Sequence, residues 1–242
     1  MSQPLVRRSP IHTGRVVAAT SVTPRMRRVT VQSDSMIGLP LKPAQDVELH
    51  LTEQSGRRVK RRYTIRAARA DLGELDLDVA LHGPGPGAAW GATAAPGETI
   101  SFQGPRGKLE LRPAPMHLLV GDESALPAIA VIAESLPAGE RAAAVIEVED
   151  AAEEQPVRSD AVRWVYRQGA SPGTPDQLLP TVRQLLPSLE AATTRAYLLG
   201  ETRTMVALRA LLEDAGFPHE AVFVKGYWNV GRPDRVAGRS PS

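Results

Sequence analysis

Arg62, Tyr63 and Thr64 stand in succession within RRYTIR, residues 61 to 66, and place a guanidinium fork, a flat ring and a hydroxyl side by side. Such a fork matches the oxygens of a phosphate, and each charge-assisted bond contributes roughly 1.5–3 kcal/mol. Tyr63 offers a face for stacking, and Thr64 offers a hydroxyl and a backbone amide. On a strand, alternation puts Arg62, Thr64 and Arg66 on one face and Tyr63 and Ile65 on the other, unless a strand end lets the residues splay. The competing reading is a basic edge strand whose charges prevent edge-to-edge pairing. Nucleic-acid binding is disfavoured, because aromatic residues make up 4% of the chain and no second one interleaves with the basic run.

A second group follows in DVALHGPGPGAAW, Asp78 to Trp90. Glycines at 83, 85 and 87 allow close approach of backbone to a ligand, and a helix opening there presents free amides to an anion. The pattern is not a dinucleotide GxGxxG, because Trp90 replaces the third glycine. Asp78 and His82 are hydrogen-bonding candidates or ordinary surface groups. Further on, HLLVGDESALPAI (117–129) and YLLGETRTM (197–205) each run from an apolar strand through a Gly-acid turn into a helix. Such turns lie at the carboxyl ends of parallel strands, where ligands of open α/β sheets bind. VKGYWNVGR (224–232) sets Tyr227 and Trp228 between Lys225 and Arg232, either to seal a core or to cover a planar ligand.

Elements that could hold these groups are legible in the texture of the chain. Up to about residue 111, short segments alternate apolar and polar residues with β-branched enrichment, separated by Gly, Pro, Asp and Ser clusters. They predict an N-terminal antiparallel six-stranded β-barrel with a short helix. After RPAP (112–115), continuous apolar runs alternate with helical patterns, the last opening at Thr202 as a plausible N-cap and closing at Gly216. That pattern predicts a C-terminal parallel-sheet nucleotide-binding domain. We place the division at residues 1–114 and 115–242.

The 242 residues contain no Cys, which removes disulfides, thiolate zinc sites and cysteine-held iron-sulfur clusters. Five histidines show no ligand-like spacing, so no metal site is expected. A net charge of +2 gives no general polyanion surface. Without a bilayer-length apolar run or a signal h-region, no membrane insertion is expected and the location is predicted to be cytoplasmic. A monomer is the default expectation.

In combination, RRYTIR, GELDLDVALHG with GPGAAW and APGE, GPRG at 104–107, GDESALPAI, LLGE and KGYW resemble the siderophore-interacting proteins, FAD-dependent ferric-siderophore reductases related to ferredoxin-NADP reductases. The resemblance spans roughly residues 14 to 232. It implies that electrons pass from NADH or NADPH through FAD to a ferric siderophore, with the flavin performing the redox step and no catalytic side chain. It further implies that Arg62 meets the FAD pyrophosphate, Tyr63 stacks on the isoalloxazine and Thr64 bonds near its reactive edge. Asp78 and His82 would hold the ribose and phosphate side, and Gly87, Ala88 and Ala89 would supply amides. Gly121, Asp122, Glu123, Pro127, Gly200 and Glu201 would face the nicotinamide donor, and Lys225 and Arg106 the substrate. Two departures stand out: Asn229 where the family has Arg, and Pro84 where it often has an acid. Glu147, Glu149 and Asp150 after the second strand of the sheet lean toward NADH. Two other readings stay open: an FAD-containing electron donor to a partner protein, and a non-catalytic siderophore-binding module.

Overall fold

The computed structural model describes residues 10 to 231 apart from 54, 84 and 174, so Pro84 and Arg232 lie outside the described residues. Six strands, β1 (Ile11–Thr23), β2 (Met26–Gln32), β3 (Asp46–Thr52), β4 (Arg58–Arg69), β5 (Glu74–Ala80) and β6 (Thr99–Arg106), close a barrel in the order β1-β2-β5-β4-β3-β6. All of its neighbours are antiparallel, with Val29 opposite Leu77 and Leu49 opposite Phe102. These four side chains are buried in the barrel core, as their alternation with polar neighbours requires. The predicted six-stranded barrel is present.

The interruption between β5 and β6 is helix α1 (Pro86–Thr93), with Pro86 at its first position. Trp90 of α1 and Ala94 beyond it pack into the barrel core. Arg27 of β2 ties the other end, donating to the carbonyl oxygens of Gly91, Ala92 and Ala94, where a cation complements the helix dipole. The helix is thereby fixed with its N-terminus pointing away from that plug.

The second half is a five-stranded parallel sheet of β7 (Met116–Asp122), β8 (Arg141–Val148), β9 (Ala161–Tyr166), β10 (Thr194–Glu201) and β11 (Val222–Trp228), ordered β11-β10-β7-β8-β9. Helix α2 (Leu126–Glu134) covers one face, packing Ile129 and Ile132 on Leu119 and Leu199. Helices α3 (Pro175–Leu185) and α4 (Thr202–Asp214) cover the other, packing Val182 and Leu208 near Leu118, Val120 and Leu198. Burial on both faces explains the unbroken apolar runs. The strand order reverses between β7 and β10, which makes their carboxyl ends the topological switch point.

Two local expectations change. The N-cap of α4 is Glu201, whose carboxylate accepts from the Thr204 amide at 2.8 Å, while Thr202 Oγ1 donates to the Trp228 carbonyl oxygen. On β4, Arg62, Thr64 and Arg66 do not form one face, because the register slips between Ile65 and Ala67. Arg66 instead leaves the group and pairs with Glu134 of α2. Among the described residues no helix is long and apolar enough to cross a membrane.

Candidate cofactor-binding cleft

A cleft of about 620 Å³ opens between the barrel and the carboxyl end of the sheet. Arg61, Arg62, Tyr63 and Thr64 of β4 all line it. Four successive residues can do so only because the strand ends its regular alternation there, with Thr64 and Ile65 both buried. Asp78, Ala80, His82, Gly83 and Gly85 form the wall leading into α1, whose Gly87 and Ala88 also line the cleft. From the β7–α2 turn and the first turn of α2 come Ser124 and Pro127, and from β11 and the residues after it Lys225, Gly226, Tyr227, Trp228 and Asn229.

The N-terminus of α1 carries no side-chain cap, so the first-turn amides of Gly87 and Ala88 are available toward the cleft. Ala89 differs from its expected role: its amide bonds to the Gly85 carbonyl oxygen at 3.0 Å, within the helix. A Cβ on Gly87 would lie 2.0 Å from the Tyr63 hydroxyl, so helix and ring approach each other as only glycine allows. Gly87→Ala is therefore expected to displace Tyr63 and, with the ring stacked on FAD as the resemblance implies, to lower flavin content severalfold; unchanged flavin content on purification would show that the contact does not position the ring. Burial raises the pKa of the Tyr63 and Tyr227 phenols, which keeps both neutral at physiological pH. Thr64 Oγ1 and the Tyr227 hydroxyl stand 3.4 Å apart across the cleft.

Charge is arranged in pairs. Asp78 holds Arg28 in a bidentate bridge of 2.7 and 2.8 Å, and Asp46 holds Arg62 in another of 2.8 and 2.7 Å. Lys225 Nζ also donates to Asp46, at 2.9 Å, and lies 5.0 Å above the Tyr227 ring. With Arg61 added, the wall keeps a positive excess suited to a phosphate-bearing ligand. Asp46, Arg61 and Arg28 were not singled out by sequence reasoning. The carboxylates belong to strands whose register creates the pairings, and nothing local to DVELH signals a lysine 179 residues away.

The switch-point residues stand just behind the cleft. Asp122 accepts from the Glu201 amide and from Trp228 Nε1, both at 2.9 Å, and so ties β7, β10 and β11 together. Gly200, at φ +147°, lies where a Cβ would meet the Asp122 carboxylate at 2.5 Å. Glu123 forms a bidentate pair with the buried Arg167, which also meets Glu147 and Glu149. His82 Nδ1 lies 3.7 Å from Glu123. Of the residues expected at the donor side, Pro127 reaches the cleft lining, whereas Gly121, Asp122, Glu123, Gly200 and Glu201 shape the turns behind it. Arg106 is not part of the lining; it pairs with Glu48 at 3.1 Å. Glu149 is engaged by Arg25 at 3.2 Å as well as by Arg167, and Asp150 accepts from the Ala152 amide.

Comparison with known proteins agrees with this architecture. The family profile described as siderophore-interacting FAD-binding domain matches residues 39–109, and that described as siderophore-interacting protein matches residues 114–231. A siderophore utilization protein from T. fusca superposes with a TM-score of 0.85 at 31% identity, covering 94% of this chain and 96% of that one. The siderophore-interacting protein SipS from Aeromonas hydrophila superposes with a TM-score of 0.78 at 27% identity, over 92% and 93% of the two chains. The ferric vibriobactin reductase ViuB of Vibrio cholerae is 29% identical over 188 residues, 74% of this chain and 67% of its own. The barrel and the parallel sheet are thus those of the siderophore-interacting protein family, to which this chain belongs.

Proposed function

We propose that the chain is a flavin-dependent reductase that passes electrons from NAD(P)H through FAD to a ferric siderophore, so that iron is released as the ferrous ion in the cytoplasm. The observation that carries this reading is the convergence of Arg62, Tyr63 and Thr64, the uncapped α1 N-terminus and the Lys225–Trp228 segment on one cleft. Arg62 and the Gly87 and Ala88 amides would hold the pyrophosphate, and Tyr63 would lie against the flat ring system. Thr64 would bond to the edge of that ring, while Asp78, locked by Arg28, and His82 would border the ribose. Ser124 and Pro127 would face the donor, on a turn held by Asp122 and Glu123. Lys225 would meet the chelate.

FAD, when bound, accepts electrons in pairs and delivers them singly, which is the conversion a ferric substrate requires. The chain's own task is to exclude water, fix orientation and supply charge; no side chain acts as acid or base. Ferrous iron binds hard oxygen ligands more weakly than ferric iron, so reduction favours release.

The visible spectrum of the purified protein tests this. Flavin bands are expected, bleached by NADH or NADPH under anaerobic conditions and restored by a ferric siderophore. Bleaching without restoration would favour an electron donor to a partner protein. Protein without flavin that still binds the ferric chelate would favour a binding module.

A further inference from the structure

One carboxylate in the cleft has no place in the chemistry above. Asp46 is 2% exposed, yet it opens onto the cleft between the cofactor-side arginine and the substrate-side lysine. Its Oδ1 accepts from Arg62 Nε at 2.8 Å; its Oδ2 accepts from both Arg62 Nη2 at 2.7 Å and Lys225 Nζ at 2.9 Å. One oxygen therefore joins a guanidinium of the barrel to an ammonium of the last strand of the sheet. Both cations remain partly exposed, at 26% and 22% of their side chains, whereas the carboxylate is enclosed.

With the cofactor pyrophosphate against Arg62, an anion approaching Lys225 meets one positive and one negative charge at the same place. The cancelled charge matters most for ligands that carry several negative charges, and not at all for neutral ones. We propose that Asp46 is a specificity-determining residue: by matching the Lys225 charge, it limits the preference of the cleft for anionic ferric chelates over neutral ones. This rests on the reading that the cleft receives a ferric chelate beside Lys225. Its purpose follows from chemistry, since siderophore ligands present oxygen donors with variable charge, and a wall with Lys225 unmatched would retain the anionic kinds at the expense of the others.

Asp46→Asn keeps the size and one acceptor and removes the charge; because Arg62 and Lys225 both reach solvent, neither is left buried without a partner. Two probes are compared, a ferric tris-catecholate carrying three negative charges and a neutral ferric trihydroxamate. The quantity read is the ratio of their kcat/KM values per bound flavin, in which any general loss of folding or flavin cancels. Asp46→Asn is expected to raise this ratio about tenfold at low ionic strength, with most of the gain lost in 0.5 M salt (about 4 Å of screening length). Adding Lys225→Ala should bring the ratio back to near the starting value. Quenching of tryptophan fluorescence by each chelate, without electron donor, should show the matching change, a lower ratio of dissociation constants for the tris-catecholate over the trihydroxamate. Asp46→Ser, smaller and equally neutral, carries the same expectation should the asparagine variant not fold. An unchanged ratio with both chelates still reduced, or a gain that survives Lys225→Ala, would overturn the role of Asp46. If the parent protein reduces neither chelate, the reductase reading fails instead, and the quenching ratio alone decides whether Asp46 sets charge preference.

Discussion

Replacing Arg62 and Tyr63 together with alanine is expected to yield colourless protein, with FAD affinity reduced at least about a hundredfold. In the proposed arrangement Arg62 would contribute charge-assisted bonds of roughly 1.5–3 kcal/mol each to the pyrophosphate, and the loss of the Tyr63 face would add about 0.5–1.5 kcal/mol. Together these exceed the ~2.7 kcal/mol that corresponds to two decades of affinity. The fold should survive, for two reasons visible in the cleft. Asp46 keeps Lys225 as a partner when Arg62 is removed, so no buried carboxylate is orphaned. Tyr63 is only partly buried, packed on the barrel core rather than enclosed by it. The flavin-to-protein absorbance ratio and a urea transition therefore separate loss of cofactor from loss of fold. Full flavin occupancy in a stably folded double variant would show that this segment does not hold FAD.

How far the chain could be read before its structure depends on whether a feature is local. The six barrel strands and five sheet strands follow from alternation and from continuous apolar runs, and both patterns are produced by the neighbours a strand is buried against. The Arg62–Tyr63–Thr64 group and the glycine-rich entrance to α1 were equally visible, because each lies in one short stretch. What could not be read is pairing across distance. Asp46 reads as an ordinary strand-opening acid until the register sets it beside Thr64 and the fold brings Lys225 to it. Arg66 looked like part of the same basic face, but a slip of register on β4 sends it to Glu134. Glu149 suggested a ribose-binding acid by its place after β8, yet Arg25 from the β1–β2 turn and Arg167 after β9 engage it. Ala89 failed as an amide donor for a smaller reason: helical bonding begins one residue earlier than the expected role required.

Arg167→Met is expected to destabilise the protein by about 3–5 kcal/mol at pH 8, because it removes the cation shared by three carboxylates. Arg167 is 4% exposed and meets Glu123, Glu147 and Glu149 at the carboxyl end of the sheet. Glu147, 3% exposed, has the weakest hold on it, a single contact of 3.5 Å. Burial, reinforced by the nearby Asp122 charge, raises its pKa from 4.5 to about 7. The folded state therefore binds a proton that the unfolded chain has already released between these values. The stability that this proton contributes is complete below about pH 4.5 and is lost as the pH rises through about 7. Glu147→Gln, which mimics the protonated form, should match the parent protein at pH 5 and exceed it at pH 8, by at most about 3 kcal/mol. Urea midpoints at the two pH values measure both effects. An equal deficit for Glu147→Gln at pH 5 and pH 8 would mean that Glu147 is ionised and paired with Arg167 throughout. The consequence reaches the cleft, since Glu123 and Asp122 anchor the turn that carries Ser124 and Pro127 into its wall. One arginine thus holds the carboxyl cluster that positions that turn, and Glu147, with its pKa raised by burial to about 7, is the member of it whose charge changes near neutral pH.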